Sequence, residues 1–385
     1  MYRMRAAIAV LCAALCCSSN FAAQSDLIQN GDFSQGASAW DVGATDADHA
    51  TGVVDVDGKK SLQLRRIKAG AGAGAQQYNL RFKPQTLYKL SVTGKGDVPA
   101  VLSLRPQSTT DKDFFALFGS HWGVTNCELP ASAEWTTESL LFDSGLKADN
   151  GFLAIRLQGD QPGSYSFSSI SLTEIGSTAP AAEKDEVIVA HIGDSITITS
   201  YLPFSKRIDA LLAASIARDF PALKVRNLNF GADGEYAKLL IESGRYQKAL
   251  KENYKKIDIA IIRYGANDRV HNIPMDETKK YMNLLCDNLE KDYPGIRILI
   301  GTGPYFDKSD QNSRYIPLWD MDRELAQKRK YPLIDIYARF EQEHSTATAR
   351  AEGDMHPSAH GVSLAAEEEY KALKPLLTSI NAGAK

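Results

Sequence analysis

Two periods of apolar residues divide the chain. Between residues 26 and 175 apolar and polar side chains alternate in short runs: YKLSVTGKG (88–96), AVLSLRP (100–106), ESLLFDSG (138–145), FLAIRLQG (152–159) and YSFSSISLTEI (165–175). Each run is bounded by Gly, Pro or Asp, and no stretch of this region carries a helical period. Alternation of period two, with turn residues at short intervals, predicts strands that bury one face, and strands so spaced predict a β-sandwich. From residue 185 the pattern changes. The runs VIVAHIG, KVRNLNFG, IDIAIIRYG, IRILIGTG and YPLIDIY are apolar almost throughout, and they alternate with helical stretches such as SKRIDALLAASIARDF (205–220) and MDETKKYMNLLCDNLEKDY (275–293). Strands of this kind are buried on both faces, so the pattern predicts a parallel sheet with helices on either side. Between the halves, GSTAPAAEK (176–184) is small, polar and Pro-containing, and reads as a linker. The domains expected are therefore a sandwich over 26–175 and an α/β domain over 185–385.

The first residues follow neither period. Arg3 and Arg5 precede the apolar run Ala6 to Cys17, and small and polar residues follow to Ala23. This is the build of a secretory signal peptide over 1–23, with cleavage near Ala22 or Ala23, and it predicts export to the periplasm or the exterior. The residues ahead of Cys12, Cys16 and Cys17 are not the small residue that a lipid-anchoring site needs. No later segment is long and apolar enough to span a membrane. Composition changes this picture little. The 385 residues are 44% hydrophobic, and the net charge of −3 leaves no basic footprint for nucleic acid. Loss of Arg3 and Arg5, with no acidic residue before position 24, would take the charge to −5. Beyond the leader only Cys127 and Cys286 remain, one in each expected domain. Two idle thiols are expected rather than a disulfide framework.

In a parallel sheet with helices on both faces, ligands bind outside the carboxyl ends of the strands. There the sequence places Gly193-Asp194-Ser195, then Asn229-Phe230-Gly231, then Gly265-Ala266-Asn267-Asp268, and before the last helix GDMHPSAHG with His356 and Pro357. A Ser, a Gly, an Asn and a His at successive crevice positions, with GDSIT and GAND as blocks, resemble the SGNH (GDSL-type) hydrolase superfamily over residues 185 to about 375. The resemblance implies a flavodoxin-like three-layer α/β/α domain. It also implies that Ser195 is a nucleophile toward an ester carbonyl and His356 its general base and acid. The backbone N–H groups of Ser195 and Gly231 and the side-chain amide of Asn267 would form the oxyanion hole.

One position departs from that pattern. The family's acid stands three residues before the His, where this chain has Gly353, while Asp354 stands two before. Asp354 is the preferred partner of His356, with Glu352 and a backbone carbonyl as alternatives. Arg263, in an otherwise apolar strand, is expected to pair with Asp194 or Asp268, the other reading being that it faces an acidic sugar. His191, His271 and His344 have no companions at metal-ligand spacing, and His360 is out of phase with the base and reads as solvated. No cofactor and no metal site is expected.

In the first half, LIQNGDFSQGASAW (27–40), QQYNLRFKPQTLYKLSVTGKG and the closing YSFSSISLTEI resemble the galactose-binding-like jelly roll of carbohydrate-binding modules of the family 4/9 type. Trp40, Phe114, Phe115, Trp122 and Trp135 are the aromatic candidates for a sugar platform, most of them expected in the core. Relatives often hold calcium through an Asp in the last strand, where this chain has Ser168 and Ser169, and no calcium is expected. Together the two resemblances imply an exported esterase that removes acyl groups, above all acetyl, from a polysaccharide or glycan. A lipase or thioesterase acting on acyl chains, and a glycan-binding protein without catalysis, are the alternatives. The oligomeric state is not legible in the sequence.

Overall fold

The structure is a computed structural model that describes residues 26–43, 45–106, 125–144, 150–177, 186–305, 309–343 and 354–383. The expected signal peptide, most of the linker, Phe114, Phe115, Trp122, His344 and Glu352 lie outside the described residues.

The first half is built of antiparallel strands: β1 (His49–Val56), β2 (Lys59–Arg66), β3 (Gly74–Arg81), β4 (Thr86–Gly96), β5 (Ala100–Pro106), β6 (Thr125–Leu129), β7 (Ser132–Asp143), β8 (Asn150–Leu157) and β9 (Gly163–Ser177). They form two sheets, ordered β1-β2-β9-β4-β7 and β3-β8-β5-β6. The alternation read from the sequence is realised residue by residue. In β4, Tyr88, Leu90 and Val92 point into the core, as do Leu153, Ile155 and Leu157 of β8. β1 and β2 form a hairpin that the apolar runs of the sequence do not mark. Its signal was the dipeptide Asp57-Gly58, whose positive φ values of 53° and 74° suit a tight two-residue turn. Trp40 lies in the core at 6% exposure. Trp135 is half-buried on β7, with Lys59 and Lys95 against its ring and its indole N–H donated to Asp57.

The second half is a parallel sheet of β10 (Val187–Gly193), β11 (Val225–Asn229), β12 (Ile259–Arg263), β13 (Arg297–Gly301) and β14 (Leu333–Ile334), in the order β11-β10-β12-β13-β14. This is the doubly wound order 2-1-3-4-5, whose switch point lies beside the first strand. Both faces are covered. Ile188, Ala190 and Ile192 of β10 pack under the helices Ala237–Glu242, Met275–Asp292 and Ser309–Arg329, while Val187 and Val189 face Ile208–Asp219, Ile336–Glu343 and Ala359–Gly383. The strand expected over YPLIDIY is only the two residues of β14, because the helix Ile336–Glu343 begins one residue after Asp335. Among the described residues, no helix is long and apolar enough to cross a membrane.

Candidate active site

β10 is buried along its whole length and ends at Gly193. Asp194 then caps the short helix Ser195–Ile198, its Oδ1 accepting the Ile196 N–H at 2.9 Å. Ser195 is the first residue of that helix, where no earlier turn supplies an acceptor for its N–H. Gly193 admits no side chain, since a Cβ there would stand 2.5 Å from the Arg263 carbonyl oxygen and 2.1 Å from Thr197 Oγ1. The nucleophile candidate is thus held on a tight bend between a buried strand and a short helix.

His356 reaches the bend from the loop ahead of the helix Ala359–Gly383. Its Nε2 lies 2.9 Å from Ser195 Oγ, and its Nδ1 lies 2.7 Å from Asp354 Oδ1. The same Oδ1 accepts the backbone N–H of His356 at 2.9 Å. This contact folds the carboxylate back as an Asx turn does, so an acid only two residues before the His can meet the imidazole. Of the three orienting groups left open by the sequence, the structure brings Asp354 to the ring. The ring of Tyr201 packs on the imidazole edge to face, with centroids 5.0 Å apart.

Asn267 lies at the start of the helix Ala266–Val270, 8% exposed, with Nδ2 3.1 Å from the carbonyl oxygen of Glu235 and 3.3 Å from Asp194 Oδ2. Gly231 is placed differently from its expected role. Its N–H is already donated to Asn229 Oδ1 at 3.0 Å. Its neighbours explain why: Phe230 and Ala232 donate to the carbonyls of His191 and Gly193, so the chain continues to pair with β10 and turns Gly231 inward. A Cβ at Gly231 would stand 2.6 Å from the Ile198 nitrogen and 2.9 Å from the Asp194 oxygen, so the glycine serves close packing beneath the nucleophile's helix. Gly234, three residues on, is exposed at φ 75°, has open space where a Cβ would be, and donates its N–H to no partner among the described residues. The signal overlooked in the sequence was the second glycine of NFGADG.

The loop that carries both glycines is tied from below by a buried network the sequence did not disclose. Glu235 Oε2 accepts from Arg245 Nη1 at 2.6 Å and from the Tyr264 hydroxyl at 2.7 Å, while Arg245 Nη2 donates to the Phe230 carbonyl at 2.7 Å. Burial, with the Glu235 charge beside it, pushes the Tyr264 hydroxyl far above its ordinary range.

Arg263 neither pairs with Asp194 or Asp268 nor faces the crevice. It is buried, and its Nη2 meets Glu369 Oε1 of the helix Ala359–Gly383, with His191 Nδ1 3.5 Å from the other Glu369 oxygen. Its charge still reaches Asp194. Burial pushes that carboxyl up to about 7, against the pull of the Ile196 N–H and Arg263 and with a further push from Asp268. His271 is exposed and stacks near Tyr236, and His360 is exposed at the start of the last helix. Cys127 and Cys286 are free and buried, and burial pushes each thiol up to about 12. Among the described residues, no three His, Cys, Asp or Glu side chains cluster as metal ligands would.

A hydroxyl, an imidazole and a carboxylate stand in line at the switch point of a doubly wound sheet. Residues 191–364 match the GDSL-like lipase/acylhydrolase family, and residues 25–163 match a carbohydrate-binding domain family. The second half is thus similar to the GDSL-like lipase/acylhydrolase family and the first to a carbohydrate-binding domain family, and the chain is a carboxylic ester hydrolase. Among solved structures it is similar to Axe2, an acetylxylan esterase from Geobacillus stearothermophilus, at 18% identity over 49% of this chain and 96% of that one, with a TM-score of 0.42. It is also similar to an active-site mutant of a family two carbohydrate esterase from Clostridium thermocellum, at 15% identity over 83% of this chain and 94% of that one, with a TM-score of 0.40. No curated protein matches the chain.

Proposed function

We propose that the protein is an exported serine esterase that removes acetyl groups from a polysaccharide or glycan. The observation that carries this reading is the line Ser195 Oγ, His356 Nε2, His356 Nδ1 and Asp354 Oδ1, with contacts of 2.9 and 2.7 Å, in a chain that also carries a carbohydrate-binding domain. His356 takes the Ser195 proton as Oγ attacks the ester carbonyl, and the charge that forms on the imidazole is balanced by Asp354. The tetrahedral oxyanion is received by the Ser195 N–H, by Asn267 Nδ2, which exchanges its long 3.3 Å contact with Asp194 for the oxyanion, and by an amide of the 230–235 loop. For that third donor we put Gly234 in place of Gly231, whose N–H is already committed. Collapse of the intermediate expels the sugar alcohol, which takes the proton back from His356. Water then repeats the sequence on the acyl-enzyme and releases acetate.

Acetyl, rather than a long acyl chain, is supported by the wall beside the nucleophile. Ile196, Ala266, Tyr315, Leu318, Trp319 and Tyr337 pack as one cluster, with Tyr305 and Met355 against it. Ile196 and Met355 stand beside Ser195 and His356 in the chain, so this packing next to the site supports a short acyl group. On the sandwich, Tyr78 is 42% exposed and pairs with Phe152 at a ring distance of 5.4 Å. These two rings, on the outer face of β3 and β8, are candidates for a sugar platform. The test compares 4-nitrophenyl acetate with its butyrate and octanoate esters, then measures acetate release from acetylated glycans. Preference for octanoate, or acetate release from none of the glycans, would overturn the reading.

A further inference from the structure

The segment between the nucleophile's helix and the helix Ile208–Asp219 touches both the catalytic imidazole and the sandwich. Its near end is Thr199, in the left-handed region at φ 47°, whose Oγ1 accepts the Ile208 N–H at 3.4 Å. Tyr201 follows and lays its ring on His356. Arg207, buried to 5% exposure, grips the backbone on both sides of that tyrosine, with Nε 3.0 Å from the Leu202 oxygen and Nη2 3.3 Å from the Ser200 oxygen.

The other side of the segment is held by the sandwich. Glu138 of the edge strand β7 accepts the Ser205 hydroxyl on Oε1 at 2.9 Å and the Ser205 N–H on Oε2 at 3.4 Å. Burial holds the Arg207 guanidinium below its ordinary range, and the charges of Asp209, Glu128 and Glu138, the last two from β6 and β7, lie close enough to oppose that shift. A buried guanidinium needs such carboxylates, because an uncompensated charge in that position is strongly destabilising.

Resting on the reading of Ser195 and His356 as nucleophile and base, we infer that the sandwich is a positioning part of the esterase site. Glu138, through Ser205 and with Arg207, fixes residues 199–206, and Tyr201 in turn fixes the imidazole against which Ser195 Oγ is set. The binding domain then does more than tether the enzyme to a polymer. Its edge strand holds the base in register. Displacing a reacting group by about 1 Å can cost about 10²-fold in rate, so a brace of this kind is visible in kcat.

The test uses the full chain and 4-nitrophenyl acetate, a substrate too small to need a glycan-binding surface. Glu138→Ala and Ser205→Ala, which cut the contact from opposite sides, should each lower kcat by about tenfold, with KM changed less than about twofold. Tyr201→Ala should lower kcat at least as far, and Tyr201→Phe, which keeps the ring on the imidazole, should restore most of it. If one path carries the effect, the double variant Glu138→Ala/Tyr201→Ala should be no slower than Tyr201→Ala alone. Melting curves identify any variant that fails to fold. In that event Glu138→Gln, which keeps an acceptor for Ser205 but not the charge, replaces Glu138→Ala and should give an intermediate loss. Wild-type kcat in folded Glu138→Ala and Ser205→Ala, or multiplying losses in the double variant, overturns the inference. Ser195→Ala on the same substrate separates this from failure of the catalytic reading. If Ser195→Ala is inactive while Glu138→Ala is normal, only the brace is wrong, whereas turnover by Ser195→Ala removes both.

Discussion

Asp354 shows what a residue's position in sequence hides. Spacing placed the acid one residue from where the family pattern has it, and three orienting groups remained open. The Asx contact to the His356 N–H supplies the missing geometry, since it turns a two-residue separation into a 2.7 Å contact with the ring. That turn depends on the path of the loop, which no residue type encodes. The sequence singled out Ser195, Asn267 and His356 because each is the one side chain in its block that suits the role proposed for it; it did not single out Gly234, because two glycines stand in one loop and residue types do not say which N–H is spent. Two outcomes are expected. Ser195→Ala should keep its fold and lose at least about 10⁴ in kcat. Asp354→Asn should lose about 10³–10⁴ in kcat with KM much less affected, since an amide at this place favours the wrong tautomer of the base. Steady-state kinetics on one small ester decide both, and a near-normal Asp354→Asn enzyme would remove the carboxylate from the mechanism.

At the scale of elements, the apolar runs of the second half located the strands because strands buried on both faces must be apolar throughout. β14 was overestimated because YPLIDIY is equally apolar whether it continues as strand or turns into the helix at Ile336. The joint between β10 and β11 was not legible, yet it sets the site. Gly231→Ala would push a methyl group to within 2.6 Å of the Ile198 nitrogen, which is backbone and cannot step aside. The variant is therefore expected to lose about 1–3 kcal/mol of stability and to lower kcat by shifting the helix of Ser195. Denaturant unfolding and kinetics on the same preparation check this, and an unchanged midpoint would show that the joint is looser than drawn. Asp194, on the same bend, gives a prediction in pH. Its carboxyl is pushed up to about 7, so across the window from about pH 4 to about 7 the native state holds a proton that the unfolded chain has released. The contribution of this group to stability is accordingly present at low pH and declines as the pH rises through the window. Asp194→Asn has no such proton. The unfolding free energy of the variant relative to the parent should rise by a few kcal/mol from the acid to the neutral end, and a difference that stays flat with pH would exclude the protonated carboxyl.

Over the whole molecule, the change of period at residue 185 already separated a sandwich from a doubly wound domain, because the two sheets bury their strands differently. How the two domains touch was invisible: Glu138, Ser205 and Arg207 are ordinary surface residues by sequence, and only their meeting gives them a role. The cysteines offer one reporter for each domain. Cys127 lies in the sandwich core and Cys286 among the helices of the second domain, both fully buried and both pushed up to about 12 by burial. The thiolate is the reacting species, so in a chain lacking residues 1–25 neither should react with Ellman's reagent at pH 8 while the protein is native. Both should react fully once it is unfolded in denaturant. Labelling followed by peptide mass spectrometry assigns each event to its domain. Rapid modification of either cysteine in native buffer would mean that its core opens far more readily than its packing implies. For Cys127 it would also weaken the brace, because β6, which carries that thiol, also carries Glu128, whose charge acts on Arg207.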